Sequence, residues 1–80
     1  MDGKIAVVAI IVSKIEAVER INSVLHDFGD YIIGRLGLPY KKKGVNVISI
    51  VMDAPTEIIN SLSGKIGMID GVSSKVLTTK

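Results

Sequence analysis

The fold of this chain is decided by the stretch Ile5-Ala6-Val7-Val8-Ala9-Ile10-Ile11-Val12, eight apolar residues in a row. Most of them are β-branched, and β-branched side chains favour strands over helices. Successive side chains of a strand point to opposite faces of a sheet, so both faces of this strand are apolar. Such a strand is expected in the middle of a sheet, where neighbouring elements cover both of its faces.

The composition limits the class of protein. The chain has 80 residues, and we expect residues 1–80 to form one small domain. Only 4% of the residues are aromatic while 48% are hydrophobic, which predicts an aliphatic core. The absence of cysteine excludes disulfides and thiolate chemistry, and it agrees with a cytoplasmic location. No apolar run approaches the ~20 residues of a membrane span, so no membrane partner is expected.

The residues after the first strand predict a helix from about Lys14 to Asp27. Ser13-Lys14-Ile15-Glu16 has the form of a capping box, in which the Ser13 and Glu16 side chains accept from each other's backbone amides. Apolar residues then recur at every third or fourth position, the spacing of an amphipathic helix. Gly29 is suited to the left-handed position that follows many helices.

A second strand is predicted over Tyr31–Leu38, and its strand pattern is weaker than that of Ile5–Val12. Gly34 and Gly37 interrupt it, and glycines inside a strand favour an edge position or a bulge. Pro39 is expected to end this strand, and the lysine-rich segment 41–44 is expected to reverse the chain direction.

The second half of the chain repeats the pattern of strand, helix and strand. Val45–Met52 is apolar on both faces, like the first strand. A second helix is predicted to start near Pro55 and to end at Gly67. A turn at 70–71 then leads into a final strand, Val72–Thr78.

The order β-α-β-β-α-β predicts an α+β, ferredoxin-like fold. The helices connect strands that run parallel, and the lysine-rich link closes an antiparallel hairpin. An antiparallel sheet in the order 4-1-3-2 satisfies these connections, with both helices on one face. The first and third strands, which are apolar on both faces, then occupy the centre. The helix-free face keeps aliphatic side chains exposed, so we expect self-association into a homodimer or homotetramer.

The stretch Gly34-Arg35-Leu36-Gly37-Leu38-Pro39-Tyr40 is the most specific part of a longer pattern. Together with segments 25–30, 44–53, 62–67 and 70–72, it resembles the iron-only hydrogenase system regulator family. That family is similar in fold to ACT domains and to the effector domain of nickel-responsive repressors. The resemblance implies a single ACT-like domain that acts as a cytoplasmic, oligomeric transcriptional regulator and that senses a small effector at a subunit interface.

The same stretch contains the candidate ligand-binding residues, which are Gly34, Arg35, Gly37 and Tyr40. The glycines allow a ligand to approach the backbone, and the guanidinium of Arg35 can hold an anionic group. Strict alternation along the strand places Arg35 on the same face as Tyr31 and Ile33. A structural alternative is that Arg35 protects a strand edge from unwanted pairing, or forms an ion pair with Asp30.

The sequence contains no pattern typical of an enzyme, a cofactor site or a metal site. The one histidine, His26, is interpreted as a polar residue near a helix C-terminus. Lys41–Lys43 are interpreted as a solvated hairpin tip, and the net charge of +2 is weak. Because the first strand begins within five residues of Met1, no segment is available to enter a DNA groove, and no direct nucleic-acid binding is expected.

The alternative to an effector-sensing regulator is a structural oligomerisation module that binds another protein and no small ligand.

Overall fold

The computed structural model describes residues 3–79 and has the predicted order of elements. The four strands are Lys4–Val12 (β1), Ile32–Tyr40 (β2), Val45–Ala54 (β3) and Val72–Thr78 (β4). The two helices are Ala17–Asp27 (α1) and Thr56–Gly67 (α2), and short 3₁₀ turns cover Gly29–Tyr31 and Lys41–Lys43. The final strand has the predicted bounds, and the second helix begins directly after Pro55 as expected.

The strands form one sheet in the order β2-β3-β1-β4, in which all neighbouring strands are antiparallel. This is the predicted order 4-1-3-2 read from the other edge, so the ferredoxin-like α+β fold is confirmed. β1 pairs with β3 on one side and with β4 on the other. The two strands that are apolar on both faces therefore occupy the centre of the sheet, because only there can both faces be used.

The core lies between the helices and one face of the sheet. Along β1 burial alternates strictly, with the even-numbered residues from Ala6 to Val12 buried and the odd-numbered ones from Ile5 to Ile11 exposed. The even-numbered residues of β3 from Ile48 to Ala54 are buried in the same cluster. The helices complete it with Ala17, Ile21, Leu25, Ile59, Leu62 and Ile66. Phe28 is the one aromatic side chain among the buried residues described, so the core is aliphatic as predicted.

The predicted capping box is wrong, and α1 begins three residues later than expected. The Ser13 hydroxyl donates to the carbonyl oxygen of Gly71 at 3.0 Å, and the Ser13 amide donates to the same oxygen at 2.8 Å. Ser13 is therefore bound to the turn before β4, and Glu16 makes no side-chain cap hydrogen bond. Gly29 is not left-handed either, since only Gly44 and Gly71 have positive φ among the residues described.

Strand β2 continues through Pro39 to Tyr40, two residues beyond its predicted end. Proline is tolerated here because β2 is an edge strand with a partner on one side only. The register with β3 shifts between Ile32 and Gly34, which indicates a β-bulge. The bulge reverses the alternation, so Arg35 lies on the helix-covered side of the sheet with Ile32 and not with Ile33 as predicted.

The alternation along β1 gives a direct test of this architecture. Replacing the fully buried Ile10 by alanine should lower the free energy of unfolding by about 2–5 kcal/mol, because it leaves a cavity in the core. The matched variant Ile11→Ala changes a side chain that is 49% exposed and should cost less than about 1 kcal/mol. Urea unfolding at low protein concentration measures both. Equal losses for the two variants would contradict the assignment of faces.

Candidate ligand-binding cleft

A cleft of about 240 Å³ lies between α1 and the edge of the sheet formed by β2 and β3. It is open to solvent and lies on the helix-covered side of the sheet, next to the core. Residues from all three elements line it: Val18, Asn22, Arg35, Gly37, Leu38, Pro39, Asn46 and Ile48.

The cleft exists because one position of β2 has no side chain. Arg35, Gly37 and Pro39 alternate toward the helix side, opposite Ile50, Ile48 and Asn46 of β3 respectively. A Cβ atom on Gly37 would have no neighbour within 4 Å, and its φ is not positive. The backbone therefore does not require glycine at this position. The consequence of the glycine is the open space over Ile48.

Two polar side chains meet at one end of the cleft. The Arg35 Nη2 group donates a hydrogen bond to Asn22 Oδ1 at 2.9 Å, and both residues are exposed. Within residues 3–79 the only ion pair joins Lys14 and Asp70, so the predicted alternative pairing of Arg35 with Asp30 is not formed. A guanidinium has five N–H donors, and the bond to Asn22 uses one of them. The remaining donors are available to an anionic ligand.

The four predicted site residues do not all meet in this cleft. Arg35 and Gly37 line it. Tyr40 lines an adjoining cavity of about 280 Å³, which shares Pro39 and Asn46 with the cleft. Gly34 is opposite Val51 and belongs to the other face of the sheet.

Asn22 and Asn46 are the polar residues of the cleft that the sequence analysis missed. Asn22 is exposed on α1, and the sequence pattern predicts only that it faces solvent. Asn46 interrupts the apolar pattern at the start of β3, and this polar interruption was the only available signal. Asn22 reaches Arg35 only because α1 packs against the sheet, and Asn46 lines the cleft at the Pro39 end; no local pattern shows either placement.

A second charged region joins the ends of β1 and α2. The Lys14 ammonium forms a hydrogen-bonded ion pair with Asp70, beside a cavity of about 310 Å³. The hydrogen bond with Asp70 raises the pKa of Lys14 and lowers the pKa of Asp70. Together with the Ser13–Gly71 bonds, this pair fixes the entry to α1 against the turn before β4. Both charges already have partners, so the region is interpreted as structural.

Residues 3–79 contain neither a cluster of metal-binding side chains nor a membrane-spanning helix. In that part of the chain, no three side chains of His, Cys, Asp or Glu come together in a group that could hold a metal ion. None of its helices is long and apolar enough to cross a membrane.

Comparison with known proteins shows the family. The model of the TM1266-like family, described as iron-only hydrogenase system regulators, matches residues 4–76. The solved structure of the uncharacterized protein TM1266 from Thermotoga maritima is 32% identical, with a TM-score of 0.91, and the match covers 96% of this chain and 99% of that one. This chain therefore belongs to the iron-only hydrogenase system regulator family, as its Gly-Arg-x-Gly-x-Pro-Tyr stretch predicted.

More distant structures share the fold. A formyltetrahydrofolate deformylase from Pseudomonas putida is 13% identical with a TM-score of 0.61, over 92% of this chain and 28% of that one. The PII-like nitrogen regulatory protein CPII from Thiomonas intermedia, solved with ADP, AMP and acetate, is 18% identical with a TM-score of 0.52, over 96% and 89%. At these identities the similarity shows the fold and not the activity. Among curated proteins, none matches this chain at a significant level.

The ion pair between Lys14 and Asp70 predicts a pH effect with a definite sign. Because folding lowers the pKa of Asp70, the stabilisation is present above the ordinary value of 3.8 and is lost as the pH falls through the folded value. Carboxyl NMR titration should show a higher Asp70 pKa in Lys14→Met than in the native protein. The control Lys75→Met removes the same charge from β4 and should leave the Asp70 titration unchanged. An identical Asp70 curve in Lys14→Met would contradict the pairing.

Proposed function

We propose that this member of the family is a cytoplasmic, non-enzymatic regulator of hydrogenase gene expression that works as a self-assembled oligomer and binds a small effector in the cleft beside Arg35. The observation that supports effector binding most directly is the composition of the cleft. Apolar side chains surround a few hydrogen-bonding groups, those of Asn22, Arg35 and Asn46. This combination is typical of small-molecule sites, in which apolar area supplies affinity and a few polar groups supply orientation.

The helix-free face of the sheet supports self-assembly. It carries exposed apolar side chains from every strand: Ile5, Val7 and Ile11 of β1, Leu36, Leu38 and Tyr40 of β2, Val47 of β3 and Leu77 of β4. Four strands at ~4.8 Å spacing and about nine residues in length make a face of roughly 600 Å². Lys75 and Ser73 of β4 also lie on this face, so its apolar part is smaller than the whole. Contiguous apolar patches of about a few hundred Å² mark interaction surfaces.

A second copy of the chain is the occupant that fits this face. Two such faces in contact would remove about 1,200 Å² from water, which reaches the lower limit of specific protein interfaces. Two copies related by a two-fold axis would present this face to each other, so the same residues would serve both partners. Packing of sheets face to face is also a common arrangement in β proteins.

The effector site and the assembly surface use opposite faces of one strand, so this proposal departs from the subunit-interface site that the resemblance implies. Along β2, Arg35 and Gly37 point toward the cleft, while Leu36 and Leu38 point to the helix-free face. A ligand that orders the helix-side residues of β2 therefore acts on the strand that carries part of the assembly surface. This gives effector binding and assembly a short physical connection, and any coupling between them must be reciprocal.

The second candidate function is a structural oligomerisation module that binds another protein and no small ligand. The extent of the apolar face favours it, since that face would be covered by assembly alone. The two candidates agree on assembly and differ on the cleft. Only the first requires that Arg35 contribute to binding a small molecule.

Assembly is tested at Val47, which is 37% exposed on the helix-free face, opposite Ile11. Val47→Asp should give a monomer by multi-angle light scattering at concentrations where the native protein is an oligomer, because assembly would bury an unpaired carboxylate. Asn60→Asp adds the same charge to the exposed surface of α2 and should remain oligomeric. A native protein that is monomeric at high micromolar concentration would refute this part of the proposal.

Effector binding is tested by thermal shift and calorimetry with a panel of carboxylate and phosphate metabolites. A ligand at ten times its Kd adds about 1.4 kcal/mol to folding stability. For a domain of this size that corresponds to a rise in Tm of roughly 6–11 °C. The rise should occur in the native protein and be absent in a folded Arg35→Ala variant.

The matched control is Arg20→Ala, which removes an equal charge from the exposed surface of α1 outside the cleft. It should respond to the ligand like the native protein. If no metabolite stabilises the native protein while assembly is intact, the structural module is the correct function. A ligand that stabilises Arg35→Ala equally would place the effector site elsewhere.

A further inference from the structure

We propose that the cleft selects a small aliphatic carboxylate, which the Arg35 guanidinium holds, and that Gly37 sets the size limit of this ligand. The inference rests on the proposed effector-binding function and specifies its chemistry. It follows from three properties of the cleft: its charge, its volume and the missing side chain at its floor.

The charge of the cleft matches a single carboxylate. Arg35 is the only charged side chain that lines it in the part of the chain described, and Asn22 and Asn46 are neutral. A carboxylate takes two parallel N–H donors from one guanidinium, and Arg35 retains enough donors after its bond to Asn22. A phosphate dianion would bring a second negative charge for which the cleft has no second cation. The electrostatics therefore favour a monoanion.

The volume and the apolar lining of the cleft favour a ligand with a short aliphatic chain. At about 240 Å³ the cleft is smaller than the ~300–1,000 Å³ of sites for drug-sized ligands. Val18, Pro39 and Ile48 supply its apolar surface beyond the charged end. A methylene chain placed there would remove apolar area from water at ~25 cal/mol per Å². Asn46 lies on the border with the adjoining cavity and can bond a polar group at the far end of the ligand.

Gly37 controls how much of this space is open. It lies between Arg35 and Pro39 on the helix side, directly opposite Ile48. Its backbone conformation suits any residue, and a Cβ atom there would meet nothing within 4 Å. A larger side chain at this position would therefore occupy the ligand's volume without straining the fold. Gly37 is accordingly a specificity-determining position and not a conformational requirement.

The experiment is an NMR titration of the full chain with sodium acetate, butyrate and hexanoate at constant ionic strength. The chain has three asparagines and no glutamine, so its side-chain amide signals are few. Butyrate should shift the amide signals of Asn22 and Asn46 and the Nε–H signal of Arg35. Asn60, exposed on α2, is the internal control and should not move. Butyramide serves as the neutral comparison, and inorganic phosphate at mildly alkaline pH, where it is mainly the dianion, serves as the dianionic one. Both should bind at least tenfold more weakly than butyrate.

Two substitutions locate the binding site. Gly37→Leu should raise the Kd for butyrate at least tenfold, and Gly37→Ala should raise it by less. Gly64→Leu adds the same side chain to an open position of α2 and should bind butyrate like the native protein. Circular dichroism verifies that each variant is folded, and Gly37→Ala decides the outcome if Gly37→Leu does not fold. Because the glycine tolerates a Cβ atom, retained folding with lost binding is the expected result.

The results separate this inference from the proposed function. It is overturned if no carboxylate shifts the cleft signals, if the Gly37 variants bind butyrate as tightly as the native protein, or if phosphate or butyramide binds as well as butyrate. The proposed function survives those results when another metabolite requires Arg35 in the thermal-shift panel. The proposed effector-binding function fails together with this inference only if no metabolite of the panel and none of the carboxylates binds the protein.

Discussion

The antiparallel pairing of β1 with strands on both of its sides is the interaction on which the rest of the structure depends. It places the most apolar strand at the centre, with Ala6, Val8 and Ile10 in the core and Ile5, Val7 and Ile11 on the opposite face. The helices cover only the first of these faces. The same strand therefore provides both the hydrophobic core, which stabilises the fold, and an exposed apolar surface on the opposite face of the sheet.

The edge strand β2 has a different role. It contributes little to the core, since its residues are exposed after the half-buried Ile32. Its bulge and its glycines weaken it as a structural element, and Gly37 also leaves room beside α1. Loosely packed edges are places where a ligand can bind at little cost to folding, because few core contacts change.

The contacts between the end of β1 and the turn before β4 hold this arrangement in place. Ser13 and Lys14 follow β1 directly, and they bind Gly71 and Asp70, which precede β4. Gly71 has a φ of 81°, and an added Cβ would collide with the Lys14 side chain, so both its conformation and its surroundings require glycine. These contacts fix the start of α1 and so the position of Val18 and Asn22, which line the cleft beside β2.

The sequence by itself determined the elements, their order and the sheet topology, because hydrophobic periodicity is a local property that burial enforces. The run from Ile5 to Val12 and the segment Val45–Met52, both apolar on two faces, were sufficient to place these strands at the centre. Family membership was also indicated by the resemblance of the stretch 34–40 and four further segments, and the family model matches residues 4–76. The sequence identified Arg35 and Gly37 as candidates for a site, but it grouped them with Gly34 and Tyr40, which lie elsewhere.

Only the tertiary structure decided which residues meet. The bulge at 32–34 places Arg35 on the helix side. The glycines of β2 allowed for a bulge, but its position, and so the face of Arg35, is set by the pairing with β3. The sequence around Ser13 predicted that it caps a helix, yet its hydroxyl donates to the carbonyl oxygen of Gly71, 58 positions away. Asn22 reached Arg35 only through the packing of α1 on the sheet. Local patterns specify which face a residue prefers, whereas the partner on that face depends on contacts between distant segments, and these form only when the whole sheet is assembled.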